Sequence, residues 1–291
     1  VAYFHLLSHA FFKALLFLGA GSVIHSMSDE QDIKKMGGIY NRIPLTYTSV
    51  LIGSLALMGL PFFSGYFSKD MILEFIYLSD SNFSSFAFVI GVFGVFLTSI
   101  YSSRLLITVF HGENYSDEKV YAHIHESPMI MVIPLIVLAF FSIFFGMIFH
   151  DFFAGSSIES IWSKFMFIDS EINQSYAYGN VPKLMKKLPL IMILLSLLTV
   201  LLVYFKFPQT KKLFKEKLNF LVKFFYNKCY IDELYEIVII RPCNYLGIGF
   251  WKSIDIDLID NLGPNGISRF VSSLGSKVSR LQSGYLYHYV L

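Results

Sequence analysis

Long apolar runs separated by polar loops organise the chain as far as Phe205. No charged residue occurs between Ile43 and Phe67, and about 20 apolar residues are enough for a helix to cross a hydrocarbon core of about 30 Å. The same criterion predicts six membrane spans and the start of a seventh at Tyr285. The six predicted spans are Tyr3 to His25, Pro44 to Pro61, Phe62 to Leu78, Phe86 to Phe110, Pro128 to Phe149 and Leu188 to Phe205.

These unbroken apolar runs predict helices, because the strands of a membrane barrel alternate polar and apolar residues at every second position. We therefore expect an all-α fold, a polytopic bundle of transmembrane helices. One helix of this bundle is expected to be broken in the run L-P-F-F-S-G-Y-F-S-K-D. Within this run Pro61 removes a backbone donor and Gly65 loosens the chain, just before Lys69 and Asp70.

The pattern changes after Lys206, where basic and apolar residues are mixed. The run K-K-L-F-K-E-K-L-N-F-L-V-K-F-F repeats apolar positions three or four apart, which is typical of an amphipathic helix on a membrane surface. Pro242, Gly247, Gly249 and the Gly263-Pro264 pair predict interruptions, so we expect several helical pieces; a solvated basic tail is the alternative. The predicted regions are membrane helices at 1–110, further membrane helices and loops at 111–205, an amphipathic segment at 206–284 and the start of a last membrane helix at 285–291.

Composition supports a membrane protein and argues against redox chemistry in the chain itself. The sequence is 55% hydrophobic and 15% charged, whereas a soluble domain carries about 25% charged residues. Cys229 and Cys243 have no histidine or further cysteine at a spacing suited to zinc or an iron-sulfur cluster. We expect no metal site and no bound cofactor, and we expect membrane lipid rather than nucleic acid around the chain.

The distribution of charge leaves the orientation in the membrane open. Residues 1–205 hold 11 Lys and Arg against 14 Asp and Glu, and residues 206–291 hold 12 against 7. Basic segments favour the cytoplasmic or matrix side, which predicts that side for the tail. If six spans alternate, however, the short loops place seven Lys and Arg opposite the tail and one on its side.

A stripe of ionisable residues lies in the first predicted span. His5, His9 and Lys13 follow one another at four-residue intervals, so they stack on one helical face over about 12 Å. A charge inside a membrane helix costs several kcal/mol and usually faces a bundle interior or a hydrated path. We predict proton-transfer residues here; the alternative is a snorkelling Lys13 beside hydrogen-bonded core histidines.

A second group of candidate residues lies at the expected helix break. Lys69 and Asp70 are successive residues, about 100° apart on a helix, and therefore need not pair with each other. Glu74 adds an acid one turn beyond Asp70. Interrupted helices at membrane depth are typical of ion-coupled transporters, so we predict Lys69 and Asp70 as proton-transfer residues. A span boundary at which charges reach water is the alternative.

The motif H-I-H-E at His123 to Glu126, with His111 upstream, has the residue types of a metal site. A cap on a hydrated loop explains it better.

Three motifs occur in a distinctive order: S-H-A-F-F-K-A-L-L-F-L-G-A-G-S-V-I-H, then K-M-G-G-I, then G-L-P-F-F-S-G-Y-F-S-K-D. In this order they resemble the antiporter-like subunit 5 family of respiratory complex I, called chain L in bacteria. The later stretches H-I-H-E-S-P, N-K-C-Y-I-D-E-L-Y and L-Q-S-G-Y-L-Y-H-Y are similar as well. They favour this family over sibling pumping subunits and cation/proton antiporters, which lack its long lateral helix.

The resemblance implies proton translocation coupled to NADH oxidation and quinone reduction elsewhere in the complex. It implies that 1–110 is part of the second antiporter-like repeat, with proton-channel helices, and that 206–284 is the lateral-helix segment. It implies that His9 and Lys13 match a mid-membrane proton relay with His5 one turn earlier, and that Lys69 and Asp70 match the exit end of the channel. NADH, FMN, iron-sulfur clusters and quinone are expected in other subunits. A mainly structural strap and a related cation/proton antiporter subunit are the alternative functions.

The resemblance also implies the surroundings of the chain. The expected partners are the other membrane-arm subunits, especially the sibling antiporter-like ones, in the mitochondrial inner or bacterial cytoplasmic membrane. The lateral segment is expected on the matrix or cytoplasmic side. The chain matches a C-terminal portion of the family, whose first half, with its input lysine, is expected before Val1, and whose last helix is expected to continue beyond Leu291. This portion alone is not expected to pump.

Overall fold

The computed structural model describes residues 1–154, 181–207, 209–210, 216–281 and 283–290. These described residues form helices and no strands, which confirms the all-α prediction. The chain divides into two compact units, Val1–Pro208 and Gln209–Leu291.

The first unit is a bundle of membrane helices. Four of its helices, α1, α4, α6 and α7, are long and apolar enough to cross a membrane. Large apolar side chains on their outer faces are exposed, among them Phe17 and Ile130, as expected for helices that contact lipid. In chain order the helices are α1 (Ala2–Ser26), α2 (Pro44–Met58), α3 (Ser64–Leu78), α4 (Ser84–Leu106), α5 (Glu118–His123), α6 (Met129–Ala154) and α7 (Lys183–Leu201), with π-helical turns Ile107–His111 after α4 and Leu202–Lys206 after α7.

Helices α2 and α3 lie end to end along α1 and run antiparallel to it. Near the end of α1, Ser22 Oγ lies 2.8 Å from Thr46 Oγ1 at the start of α2. Near the beginning of α1, Ser8 Oγ lies 2.8 Å from Ser68 Oγ in α3. The end of α1 therefore lies beside the start of α2, and the beginning of α1 lies beside α3. This is the order expected if α2 and α3 are two parts of one interrupted helix.

This arrangement changes the predicted number of membrane spans. Helices α2 and α3 have 15 residues each, so each is about 22 Å long, shorter than a hydrocarbon core of about 30 Å. The predicted spans Pro44 to Pro61 and Phe62 to Leu78 are thus two halves of one crossing, and the count of six is not confirmed. The predicted broken helix is confirmed, with the break between Met58 and Ser64.

The backbone at the break adopts conformations that a helix does not allow. Gly59 ends α2 in the left-handed region with a φ of 89°, and Phe62 has a φ of 79°, which is uncommon for a residue with a side chain. Gly65 then brings α3 against α2 so closely that a Cβ atom at this position would overlap the carbonyl oxygen of Ala56. The glycine at 65 therefore permits close approach of two backbones.

Small polar side chains fill the helix interfaces. Every polar residue in the described part of the chain that is fully buried is a serine or a threonine, the residue types that let membrane helices approach closely. Aromatic pairs join α1 to α6, as in the stacked rings of Phe11 and Phe141, 4.9 Å apart. Ile193 in α7 packs against Val92 in α4 and Leu73 in α3.

Glu126 caps the beginning of α2. Its carboxylate accepts hydrogen bonds from the backbone N–H of Leu45, at 2.8 Å, and from the hydroxyl of Thr46, at 2.5 Å. The first N–H groups of a helix have no partner within the helix, and a negative charge near them is favourable. In the motif at His123 to Glu126 the acid thus serves as a cap, as the sequence favours, while His123 Nδ1 lies 2.7 Å from the carbonyl of Lys119.

Replacing Glu126 with alanine is expected to destabilise the full-length protein by about 1–2 kcal/mol, because two or more cap hydrogen bonds are lost. Thermal unfolding of the purified protein in detergent measures the effect. Glu113→Ala is the matched control, since the Glu113 carboxylate in the same loop accepts a hydrogen bond only from the exposed Tyr115 hydroxyl among the described contacts. Equal melting temperatures for the two variants would contradict the capping role.

The second unit contains helices α8 (Asn219–Tyr226), α9 (Ile231–Tyr235), α10 (Arg241–Phe250) and α11 (Pro264–Leu281). π-helical turns join α9 to α10 and continue α10, so residues 231–260 form one helical run. The predicted interruptions at Pro242, Gly247 and Gly249 are therefore wrong. Pro242 lies in the first turn of α10, directly after a π-helical turn, where its missing donor and its ring are tolerated.

The interruption at Gly263-Pro264 is confirmed, because α11 begins at Pro264. A further break lies at Lys228, Cys229 and Tyr230, which all have positive φ angles. The predicted amphipathic character is clearest in α11, whose exposed apolar residues follow helical spacing. They are Ile267, Phe270, Val271, Leu274, Val278 and Leu281. At the predicted last membrane helix, the structure describes a 3₁₀ turn, Leu286–Tyr289.

Candidate functional site

The ionisable stripe predicted on the first span lies on one face of α1. The ring centroids of His5 and His9 are 5.7 Å apart, and Lys13 follows one turn later. All three side chains are half-buried. Lys13 Nζ lies 5.4 Å from the centre of the Phe17 ring, which is a cation–π distance.

Two buried serines, Ser8 and Ser68, extend this stripe to the broken helix. His5 Nδ1 lies 3.0 Å from Ser68 Oγ, and Ser8 Oγ lies 2.8 Å from the same oxygen. Imidazole and hydroxyl groups can both donate and accept protons, so the three side chains form a hydrogen-bonded link between α1 and α3. Neither serine was predicted from the sequence. The four-residue spacing of Ser64 and Ser68, just before Lys69, could have indicated Ser68.

Lys69 places its ammonium on the end of α2. Nζ donates long hydrogen bonds of 3.4 Å to the carbonyl oxygens of Leu57 and Met58. The last carbonyls of a helix lack partners within the helix and carry the negative end of its dipole. The helix break therefore creates the acceptor site that Lys69 occupies.

Asp70 faces different surroundings from those of Lys69. It lines a cavity of about 250 Å³ at the end of the bundle where α3 ends, together with Glu74, His150 and Lys186. Within the described residues, Lys69 and Asp70 do not form an ion pair with each other, as their separation of about 100° on a helix indicates.

Lys13 lines a second cavity, of about 270 Å³, between α1, α2 and α4. Ser102 lies in its wall, and the buried hydroxyl of Ser102 has no hydrogen-bond partner among the described residues. One water molecule occupies about 30 Å³ of liquid, so the cavity has room for several. Leu57 also lines this cavity, and its carbonyl accepts the hydrogen bond from Lys69. Leu57 thus lies between the two lysines.

The structure brings all five predicted site residues to the contact between α1 and the broken helix or to a cavity beside it. Within the described ranges, which omit 155–180, no cluster of three or more His, Cys, Asp and Glu residues is arranged to hold a metal ion. The arrangement is suited to moving protons between ionisable side chains, because each member can bind and release a proton and lies beside a hydrogen-bonded link or a cavity. They are His5, His9, Lys13, Lys69 and Asp70.

Comparison with known proteins gives one consistent result. A family described as NADH:quinone oxidoreductase/Mrp antiporter, transmembrane, matches residues 1–98. NADH-ubiquinone oxidoreductase chain 5 of Phytophthora infestans is 41% identical over 297 residues, which cover 100% of this chain and 44% of that protein. The chain 5 protein of Marchantia polymorpha is 40% identical, with 99% of this chain and 44% of that protein covered.

A bacterial protein shows the same similarity. NADH-quinone oxidoreductase subunit L of Rickettsia bellii is 39% identical over 99% of this chain and 44% of its own length. The chain thus spans less than half the length of these curated relatives. Together with the apolar helices, the relatives confirm the predicted localisation, an integral protein of the mitochondrial inner or bacterial cytoplasmic membrane. The order of the motifs, the broken helix and the similarity along the whole sequence agree: this chain belongs to the family of NADH-ubiquinone oxidoreductase chain 5 and bacterial subunit L, and corresponds to part of those longer proteins.

Proposed function

We propose that this chain is the part of a complex I membrane-arm subunit that conducts protons between its ionisable helix α1 and the end of the bundle at Asp70. NADH oxidation and quinone reduction in other subunits supply the energy. The chain itself holds no redox centre in this proposal, and NADH, FMN, iron-sulfur clusters and quinone bind elsewhere. Its partners are other membrane-arm subunits, the sibling antiporter-like ones in particular, together with lipid.

One observation carries this proposal: the hydrogen bond between His5 on α1 and Ser68, the residue directly before Lys69 on α3. His5 and Ser68 are 63 residues apart in sequence, yet their side chains lie 3.0 Å apart inside the bundle. Ionisable side chains inside a membrane bundle are energetically costly, and those that are present usually have a function. Histidine suits proton transfer because its unperturbed pKa of about 6.5 lies close to working pH.

Replacing His9 and Lys13 together with alanine is the test of this function. If the two residues belong to one relay, each single variant slows proton pumping in the assembled complex, and the double variant is little slower than the worse single one. Independent packing residues give effects that add. Proton uptake and NADH oxidation are measured on the same proteoliposomes.

Leu18→Ala is the control, because Leu18 is exposed on another face of α1 and lies outside the wall of the Lys13 cavity; we expect it to pump normally. Additive losses in the double variant, with an unchanged pH dependence of pumping, would contradict the relay. They would support ordinary core roles for His9 and Lys13.

A second candidate function, a structural strap between subunits, is favoured by one observation. The described helices of the second unit bury none of their residues within the unit, and α11 exposes an apolar stripe that suits a protein or lipid surface. In a strap alone, the ionisable residues of the first unit would be dispensable for pumping. Variants of those residues therefore discriminate between the two functions.

A further inference from the structure

Beyond Asp70, the cavity at the end of α3 brings together ionisable side chains from three helices. Asp70 and Glu74 come from α3, His150 from α6 and Lys186 from α7, and the cavity volume is about 250 Å³. Asp70 and Glu74 are four residues apart on one helix, so their carboxylates lie on the same face. The cavity therefore offers a proton on Asp70 a second carboxylate within one helical turn.

Glu74 meets a lysine that is distant in sequence. Lys186 Nζ lies 3.7 Å from Glu74 Oε2, and the exposed fractions of the two side chains are 36% and 18%. A direct charged hydrogen bond would measure about 2.7–2.9 Å, so this ion pair is loose. Loose, partly exposed pairs contribute little to stability and open readily, which makes a purely structural role for this pair a weak explanation.

Two further polar side chains, His150 and Tyr66, line the cavity. The ring of His150 lies beside the rings of Phe4 and Phe67, and its Nδ1 is 3.3 Å from Asp151 Oδ1. The hydroxyl-bearing ring of Tyr66 completes the polar wall. Of these side chains, Glu74 alone is both on the same helix face as Asp70 and in contact with a lysine from another helix.

We propose that Glu74 is a further proton-transfer residue, which accepts the proton from Asp70 and passes it to water, and that Lys186 is the positioning residue that controls it. This inference rests on the proposed proton-conducting function. The Glu74 carboxylate beside the Lys186 ammonium is the acceptor, because an ionised carboxylate has lone pairs that can take up a proton. The O–H bond of protonated Asp70 breaks as an O–H bond forms on Glu74 and Lys186 moves aside. Glu74 then gives the proton to a water molecule, and Lys186 returns.

The experiment measures proton pumping and NADH oxidation by the assembled complex in liposomes, with variants of the full-length protein. Glu74→Gln is expected to reduce the pumping rate about tenfold, a smaller factor than the 10²–10⁴ of a positioned proton-transfer group because water replaces part of its role. The combination of Glu74→Gln with Lys186→Gln keeps a hydrogen-bonding pair between α3 and α7 without a titrating acid. The same loss of about tenfold is expected for it.

Exchanging the two charged residues distinguishes the loss of a proton acceptor from disturbed packing between α3 and α7. Glu74→Lys combined with Lys186→Glu returns a carboxylate to the cavity wall and should therefore pump faster than the double glutamine variant. Lys187→Met is the matched control, since Lys187 is adjacent, exposed and outside the cavity wall. It is expected to pump normally.

Two results would overturn the proposal. Normal pumping by Glu74→Gln in an assembled complex would remove Glu74 from the path. Recovery of pumping in the double glutamine variant would show that Glu74 and Lys186 only fasten α3 to α7. If Glu74→Gln does not assemble, the double glutamine variant, which keeps the contact, is used alone to decide whether Glu74 transfers protons. Lys69→Met tells whether a negative result concerns Glu74 only or the proposed proton-conducting function as a whole. If the whole function is wrong, Lys69→Met also pumps normally.

Discussion

Replacing Lys69 with methionine in the full-length protein is expected to stop proton pumping while NADH oxidation and the redox centres of the assembled complex persist. Methionine has a similar length and keeps the packing, but it neither carries a proton nor donates to the carbonyl oxygens of Leu57 and Met58. We expect a reduction of about 10²-fold or more, at the lower end of what a positioned proton-transfer group contributes.

Lys69→Arg sharpens this prediction. Arginine keeps a positive charge that can lie on the end of α2, but its guanidinium does not release a proton in proteins. Pumping should therefore be lost in this variant too, although the helix end still has its cation. Lys34→Met in the exposed loop is the control and should pump normally. Full pumping by an assembled Lys69→Met complex would exclude Lys69 from proton transfer and favour the strap function.

Replacing Gly65 with alanine is expected to have a large effect on stability. The added methyl group would overlap the carbonyl oxygen of Ala56 and lie 3.6 Å from the ring of Phe12. Overpacking costs typically about 1–3 kcal/mol, and the upper end is expected because a backbone atom cannot turn away. Thermal unfolding of the full-length protein in detergent measures the loss, and pumping should fall as α3 carries Lys69 away from the end of α2.

Gly94→Ala in α4 is the matched control for this change. A Cβ atom at position 94 meets nothing within 4 Å, and alanine favours a helix over glycine by about 1 kcal/mol. The control should therefore be as stable as the original protein or more so. Equal stability of the two alanine variants would mean that the two half-helices do not approach closely at Gly65.

The sequence predicted those features that depend on local patterns. Four-residue spacing placed His5, His9 and Lys13 on one face of α1, and the proline and glycines around Pro61 predicted the break. Exposed apolar residues at helical spacing in α11 likewise match the predicted amphipathic tail. Each of these features follows from the periodicity or chemistry of neighbouring residues.

The features that the sequence did not predict depend on contacts between distant residues. Ser68 meets His5, and Lys186 meets Glu74, across separations that no local pattern records. Pro242 illustrates the opposite error, because a local preference for a break was overridden by a π-helical turn before it. The number of spans was overestimated because the residues of the break, from Gly59 to Phe63, are themselves uncharged and mostly apolar.

The two half-helices α2 and α3 cross the membrane once and not twice. Relative to the loops after them, the loops before them therefore lie on the opposite side of the membrane from the side that six spans predict. The loop 26–43, with Lys34, Lys35 and Arg42, then lies at the same end of the bundle as the loop 111–127 and as Lys206, where the chain leaves α7. Among the described residues, the imbalance of seven against one becomes four basic loop residues at this end and three at the other, Lys183, Lys186 and Lys187.

With the loops near balance, they no longer oppose the side that the twelve basic residues after α7 favour, which is the cytoplasm or matrix. The parity of the crossings also bears on the proposed proton conduction. Asp70 and its cavity lie at the end of the bundle opposite to the loops 26–43 and 111–127, so we expect a proton released from Asp70 in the proposed function to leave at that end.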